Sequence, residues 1–354
     1  MRQRSNKFRK KQQGLSIIEL MIAMVLGLIL LSGVIQILMA NRETSRVQSA
    51  LARVQENGRV VMESLAREIR AADYWGCAPG IGTFTNHLDT TSPDYDPALH
   101  DFSFADGIAG TDNDGVNGSD SIRLSGLFGD ELKITNPMPN TSAVVKVRPN
   151  NNMINPGDIL FISNCKGGDI FQVTAGSPGS TGTVGHQSGG SVRPGNDGAT
   201  CNTTGSTACP NCFCQTYGTE GAIHTGFNST RYYIDNTPDG PTLFMDDFYN
   251  APMQMAVGIE NMQITYGMDT SGDGSANRYL PAGHVDLDMN GVVSIKVNIL
   301  VASTEAVNDT PQELRFNWEE IKANDSSASG LTMAADNRLR RSYSMTVNIR
   351  NRTR

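Results

Sequence analysis

The sequence predicts an α+β fold in which one long amino-terminal α-helix packs on a carboxy-terminal, antiparallel, β-rich domain. Three observations carry that expectation. No charged residue occurs from Leu20 to Met39. Apolar residues then recur at helical spacing as far as Ile69. From Gly76 onward, short apolar runs are broken by Gly, Pro, Asn and Asp.

The helix comes first. Twenty uncharged residues at about 1.5 Å each span roughly 30 Å, the thickness of a hydrocarbon core. Six basic residues (Arg2, Arg4, Lys7, Arg9, Lys10 and Lys11) precede this run. By the positive-inside tendency they keep the amino terminus cytoplasmic and send the bulk of the chain outward. Beyond the membrane run, Val47, Leu51, Val54, Gly58, Val61, Leu65 and Ile69 form one apolar stripe, spaced by three or four residues. Arg42, Glu43, Arg46, Arg59, Glu63 and Arg67 fall on the other faces. No proline occurs before Pro79, so one helix is expected from about Leu15 to Tyr74. Its apolar half, 15–40, needs a membrane, and its amphipathic half, 41–75, needs a globular partner. The stripe is too short to favour a coiled coil.

Composition narrows the function. The chain has 354 residues and a formal charge of −7, and loss of the six leader charges would take it to −13. Such an acidic body lacks the basic face that general nucleic-acid binding requires. All six cysteines follow the membrane run, as suits disulfides in an oxidising compartment. The five histidines are scattered, and neither a zinc-protease, a nucleophile-elbow nor a P-loop motif occurs. No catalytic residue is nominated, and the chain reads as a non-enzyme.

Within 76–354, candidate strands are Ser121–Ser125, Ala143–Val147, Asp158–Ser163, Ile170–Thr174, Arg231–Ile234, Thr242–Met245, Ile259–Tyr266, Val292–Ala302 and Tyr343–Ile349. In the Val292 strand, Val293, Ile295, Val297 and Ile299 share one face, which predicts a half-buried antiparallel strand. Low-complexity Gly, Ser and Thr over 175–208 read as a long surface loop, and 106–120 as a second loop-like insertion.

The small residue expected of a processing site lies before the apolar run, at Gly14, directly after the basic cluster. Gly14-Leu15-Ser16-Ile17-Ile18-Glu19 resembles the class III leader of type IV pilins and type II secretion pseudopilins. The resemblance implies cleavage by a prepilin peptidase between Gly14 and Leu15, removal of 1–14, and methylation of the new terminal Leu15. Leucine stands where phenylalanine is usual. Glu19 then falls fifth in the mature chain, where its carboxylate would pair with a neighbouring subunit's amino terminus during assembly. Gly76-Cys77, Asp158–Cys165, Gly258–Asp269 and Arg340–Asn351 sharpen the resemblance to minor pilins of the PilW kind. The fold it implies is pilin-like. The implied partners are other minor pilins, the major pilin, an inner-membrane assembly platform and a tip adhesin. The implied location is the inner membrane before assembly, in a single pass with the bulk periplasmic, and the pilus surface afterwards. A minor pseudopilin of type II secretion shares every feature up to Tyr74. An adhesin or DNA-binding module is the reading from a different class.

Three further groups of residues are candidate sites. Cys201, Cys209, Cys212 and Cys214 lie within fourteen residues, close enough for zinc but without paired knuckles. The expectation is a Cys77–Cys165 disulfide tying the helix end to the sheet. The other four would pair among themselves in one of three connectivities. Asp269, Ser271 and Asp273 open an EF-hand-like calcium loop, but Leu280 replaces the twelfth-position acid. The run from Asp286 and the run Thr111–Gly115 are weaker versions of it. Oxygen-rich turns of this type also form without metal. Finally, Arg338, Arg340, Arg341, Arg350, Arg352 and Arg354 make a basic tail that could meet DNA. Alternating charges on an exposed edge strand would explain its last three arginines equally well.

Overall fold

The computed structural model describes residues 16–96, 107–149, 153–188, 191–197, 213–247, 250–308, 310–316 and 331–352. Gly14, Leu15, Cys201, Cys209, Cys212 and Arg354 lie outside them.

Helix α1 runs without a break over Ile17–Ala71. It stops three residues short of the expected Tyr74: Ala72 leaves the helix with ψ 156°, and Asp73 follows in a left-handed conformation (φ 60°). The expected stripe is also shortened: full burial begins at Val54 and continues through Gly58, Val61, Leu65 and Ile69. Val47 and Leu51 are only half-buried.

The described strands, in chain order, are β1 (Phe84–Asn86), β2 (Ile108–Thr111), β3 (Ser121–Asn136), β4 (Val145–Val147), β5 (Ile159–Asn164) and β6 (Gly167–Gln172). Then come β7 (Ala175–Ser177), β8 (Thr183–Gly185), β9 (Ala222–Thr237), β10 (Gly240–Asp246), β11 (Met253–Val257) and β12 (Ile259–Met268). The last are β13 (Arg278–Leu280), β14 (Val292–Ala306), β15 (Gln312–Phe316), β16 (Leu331–Asp336) and β17 (Arg338–Asn348). An eleven-stranded sheet is built on the long β3–β9 pair, and a four-stranded sheet has the order β13-β12-β14-β17. All pairings within the four-stranded sheet are antiparallel. The β15–β16 pair stands apart as a two-stranded sheet.

The amphipathic half of α1 joins these layers. Val54, Val61, Leu65 and Ile69 enter a core with Met262, Ile264 and Tyr266 of β12, Ile295, Val297 and Ile299 of β14, and Ile122 and Tyr232 of the larger sheet. The ring of Tyr343 of β17 packs against Gly58, where any Cβ would overlap it. A mid-helix glycine costs roughly 1 kcal/mol relative to alanine. Here it admits an aromatic ring against the helix backbone, and the Tyr343 hydroxyl donates to the Val54 carbonyl at 3.3 Å. A second core gathers Phe171, Phe213, Tyr217 and Ile223, and a third gathers Trp75, Phe161 and Phe227.

Three expectations need correcting. Strand β14 is buried on both faces from Val292 to Ser303, with only Lys296 partly open, rather than half-buried. On the face away from α1, Asn261 and Gln263 donate to the carbonyls of Asn117 and Gly118, so a turn covers that side of the sheet. The expected loop at 175–208 contains the β7–β8 hairpin, and Val184 is fully buried in the second core. Its low complexity reflects backbone geometry, since Gly176 and Gly182 take positive φ at the hairpin. The insertion at 106–120 likewise holds β2, paired with β3, and buries Ile108.

Candidate functional site

The first turn of α1 is closed by two reciprocal bonds. Ser16 Oγ accepts the Ile18 N–H at 3.3 Å, and Glu19 Oε2 accepts the Ser16 N–H at 3.1 Å. This is a capping box, and its Ser-x-x-Glu signature is present in the sequence as Ser16-Ile17-Ile18-Glu19. Glu19 is therefore anchored to its own helix. From Ile17 to Met39 every side chain is exposed except at half-buried Gly33. The helix is long and apolar enough to cross a membrane, and none of that stretch is covered by the rest of the chain.

At its far end, α1 is locked to the sheets through one residue. Asp73 Oδ1 accepts the Trp75 indole N–H at 2.6 Å, while Arg352 Nε donates to Oδ2. Asp73 N–H donates to the Ser125 carbonyl, and Asn351 Nδ2 reaches the last helix carbonyls at Ala71 and Ala72. Four residues on, Cys77 is joined to Cys165 with a Cα–Cα distance of 4.4 Å. That bond ties the helix exit to the turn between β5 and β6, as expected. Cys214 is also in a disulfide, which removes its sulfur from any four-thiolate zinc set, and its partner lies outside the described residues.

Beside Cys214 is a polar cluster without an obvious sequence signal. Asp169, fully buried, accepts from Tyr217 Oη at 2.6 Å and from the Cys214 N–H, and its other contact is His87 Nε2 at 2.6 Å. Burial, then the Asp169 charge and its hydrogen bond, push the Tyr217 hydroxyl far up. His186 stacks on Phe213 at 3.8 Å, and burial lowers its pKa. His87, Asp169 and the Cys214–Tyr217 stretch are distant from one another in sequence, so no spacing could announce the cluster.

The calcium-like loop is a hydrogen-bonded turn. Asp269 accepts N–H groups from Ser271, Gly272 and Gly274 and the Ser271 hydroxyl. These bonds, the Gly274 N–H foremost, hold its pKa below the ordinary range. Asp273 accepts from Ser275 N–H. In the second partial motif, Asp286 pairs with Arg278 at 2.7 Å and Asp288 caps a short helical turn through the Asn290 N–H. In the third, Asp114 accepts the Thr111 hydroxyl at 2.6 Å.

The basic tail does not act as one surface. Arg340 reaches buried Glu260 through two bonds, Nε–Oε2 at 2.6 Å and Nη2–Oε1 at 3.1 Å, and reaches Asp336 through two more. Arg338 pairs with the same two acids, and Arg352 is taken by Asp73. Only Arg341 and Arg350, among the described tail arginines, stand exposed without an ion pair. The expected edge strand also ends sooner: β17 stops at Asn348, so Arg350 and Arg352 occupy a turn.

Residues 9–35, which include Arg9, Lys10, Lys11, Gly14 and Glu19, match the prokaryotic N-terminal methylation motif. Residues 231–351, from within β9 to just beyond β17, match type IV pilus-assembly protein W. Over those residues the chain is similar to a PilW-family type IV pilin with a class III leader. No curated protein and no solved structure matches the chain. The PilW-matched region includes the four-stranded sheet that grips α1. The two matches thus cover both ends of one device, an exposed apolar helix and the sheet that carries it.

Proposed function

We propose that this chain is a minor pilin that enters a type IV pilus near its tip and helps to prime assembly. The observation that carries this reading is the continuity of α1: one unbroken helix presents a bare apolar half and clamps its other half in the sheet core. Cleavage after Gly14 would leave that helix intact, with Leu15 as its methylated terminus. Glu19 then gives up its bond to the Ser16 N–H for the charged amino terminus of a neighbouring subunit. Exchanging one partner for another keeps the carboxylate satisfied as it enters an apolar bundle, where an unpaired charge is costly.

In this reading the chain is structural, and prepilin peptidase acts on it as an enzyme acts on a substrate. Its partners are other minor pilins, the major pilin, the inner-membrane platform and a tip adhesin. It waits in the inner membrane, with its amino terminus cytoplasmic and its domain periplasmic, before moving to the pilus. The match to a pilus-assembly family favours the pilus over type II secretion. A clean deletion, scored for pilus number, twitching and secretion, tests the choice. Loss of pili with normal secretion is expected, and the reverse would transfer the protein to the secretion machinery.

A further inference from the structure

The four-stranded sheet has two edges, and they are treated differently. On the β12 side, the turn before β3 acts as a surrogate strand. Asp120 N–H donates to the Met262 carbonyl, its carboxylate accepts the Ile264 N–H at 2.6 Å, and Asn117 Nδ2 reaches the Glu260 carbonyl. On the other side β17 is the last strand among the described residues. Its eleven residues extend about 36 Å at the usual rise.

Register decides which groups face outward from β17. Ile349 N–H donates to the Val293 carbonyl, in the same register that opposes Val347 to Ile295 and Met345 to Val297. In an antiparallel ladder, hydrogen-bonded pairs alternate with non-bonded ones. The odd-numbered residues Tyr343, Met345 and Val347 therefore bond inward to β14. The N–H and C=O groups of Ser342, Ser344, Thr346 and Asn348 point off the edge, and none of them has a backbone partner among the described residues. Their side chains are exposed. From Ser342 to Ile349 the strand has no charge and no proline, although natural sheets normally protect a long edge with such residues.

Charge identifies the occupant. Exposed Arg341 lies at one end of the open row and exposed Arg350 just beyond the other. Arg350 shares a groove of about 460 Å³ with Arg67, Arg70, Tyr74 and Asn351. None of these four arginines is in an ion pair among the described residues. A second copy paired antiparallel on this edge would set the Arg341 end of one chain against the Arg350 end of the other. Like charges at both ends disfavour that pairing.

We infer that the open edge of β17 receives an extended segment of a different pilus subunit, uncharged in its middle and acidic at its ends, with one acidic end in the Arg67–Arg70–Arg350 groove. Main-chain bonds to Ser342, Ser344, Thr346 and Asn348 supply affinity, and the arginines set register and direction. This inference rests on the pilus reading.

The test uses the full chain in piliated cells, with Ser344 replaced by a benzophenone amino acid and the purified pili irradiated. The discriminating variant is Thr346→Pro. It removes an outward N–H and no bond to β14, a position where an edge strand tolerates proline. The expected result is one adduct with a different subunit, through a peptide bearing Asp or Glu beside an uncharged run. Its yield falls about tenfold in Thr346→Pro and in Arg350→Glu, the loss expected for one or two bonds. The melting temperature should stay unchanged. Arg350→Glu keeps the test decisive if the proline variant fails to fold. An adduct insensitive to both substitutions, an adduct of twice the chain's own mass, or a cross-link within the chain overturns the inference while leaving the pilus reading intact. Absence of the chain from pili overturns the pilus reading, and the inference falls with it.

Discussion

Ser16 and Glu19 cap one helix end from opposite directions: Glu19 Oε2 holds the Ser16 N–H at 3.1 Å, and Ser16 Oγ holds the Ile18 N–H at 3.3 Å. Glu19 thus has a partner before any neighbour arrives. Glu19→Ala is expected to leave cleavage and membrane insertion intact, because a lost cap costs only about 1 kcal/mol. Incorporation into filaments should fall sharply, measured as the ratio of pilus-bound to membrane-bound protein. Wild-type incorporation by Glu19→Ala would remove Glu19 from the assembly contact.

The helix was readable in the sequence because a single period governs it. The apolar stripe from Val54 to Ile69 and the uncharged run before it each obey one local rule. The sheet was harder. The segment Arg231–Ile234 stood out, yet β9 begins nine residues earlier at Ala222, where His224, Thr225 and Gly226 break any alternation. Their strand state comes from pairing with β3, a tertiary cause without a local signature. The same holds for Asp169 with His87 and Tyr217, and for Glu260 with Arg340. Long-range partners selected those positions, and spacing along the chain carries no trace of them.

Gly58 and Tyr343 give a packing test. Gly58→Ala should destabilise the chain by about 1–3 kcal/mol in urea denaturation, because overpacking outweighs the gain in helix propensity. Adding Tyr343→Ala should make the same glycine substitution neutral or favourable. Equal effects in both backgrounds would mean that the ring does not require the glycine.

Glu260 sits at a bulge in β12, 2 % exposed, facing Arg338 and Arg340. Burial works against the Arg340 charge, but its bonds to Glu260 and Asp336 more than offset this and raise its pKa. The bonds from Arg340, then those from Arg338, hold Asp336 well below the carboxylate range. Glu260→Gln leaves Arg340 partly buried with one acid fewer. A loss of about 3–5 kcal/mol is expected, read from the denaturation midpoint. A change under about 1 kcal/mol would show that solvent screens the group as it does a surface pair.

At the calcium-like loop, four donors already converge on Asp269. Calcium has to compete with them for the carboxylate. The melting temperature is expected to be the same in millimolar calcium and in chelator. A calcium-dependent rise that Asp269→Asn abolishes would instead establish a metal site.

Asp120 closes the β12 edge with a buried carboxylate, and burial pushes its pKa up to about 7, with Asp112 and Asp114 adding to the shift. In the unfolded chain the group titrates near 3.9. Between these values the folded protein binds more protons than the unfolded one, so stability falls as pH rises from about 4 to about 7. The total loss is a few kcal/mol at most. Asp120→Asn keeps a carbonyl acceptor for one of the two amides and cannot ionise. The difference in urea midpoint between wild type and variant should therefore favour wild type at pH 4.5 and shrink or reverse by pH 8. A difference that is flat across this range would show that Asp120 stays ionised throughout, its charge held by the Asn113 and Ile264 N–H groups.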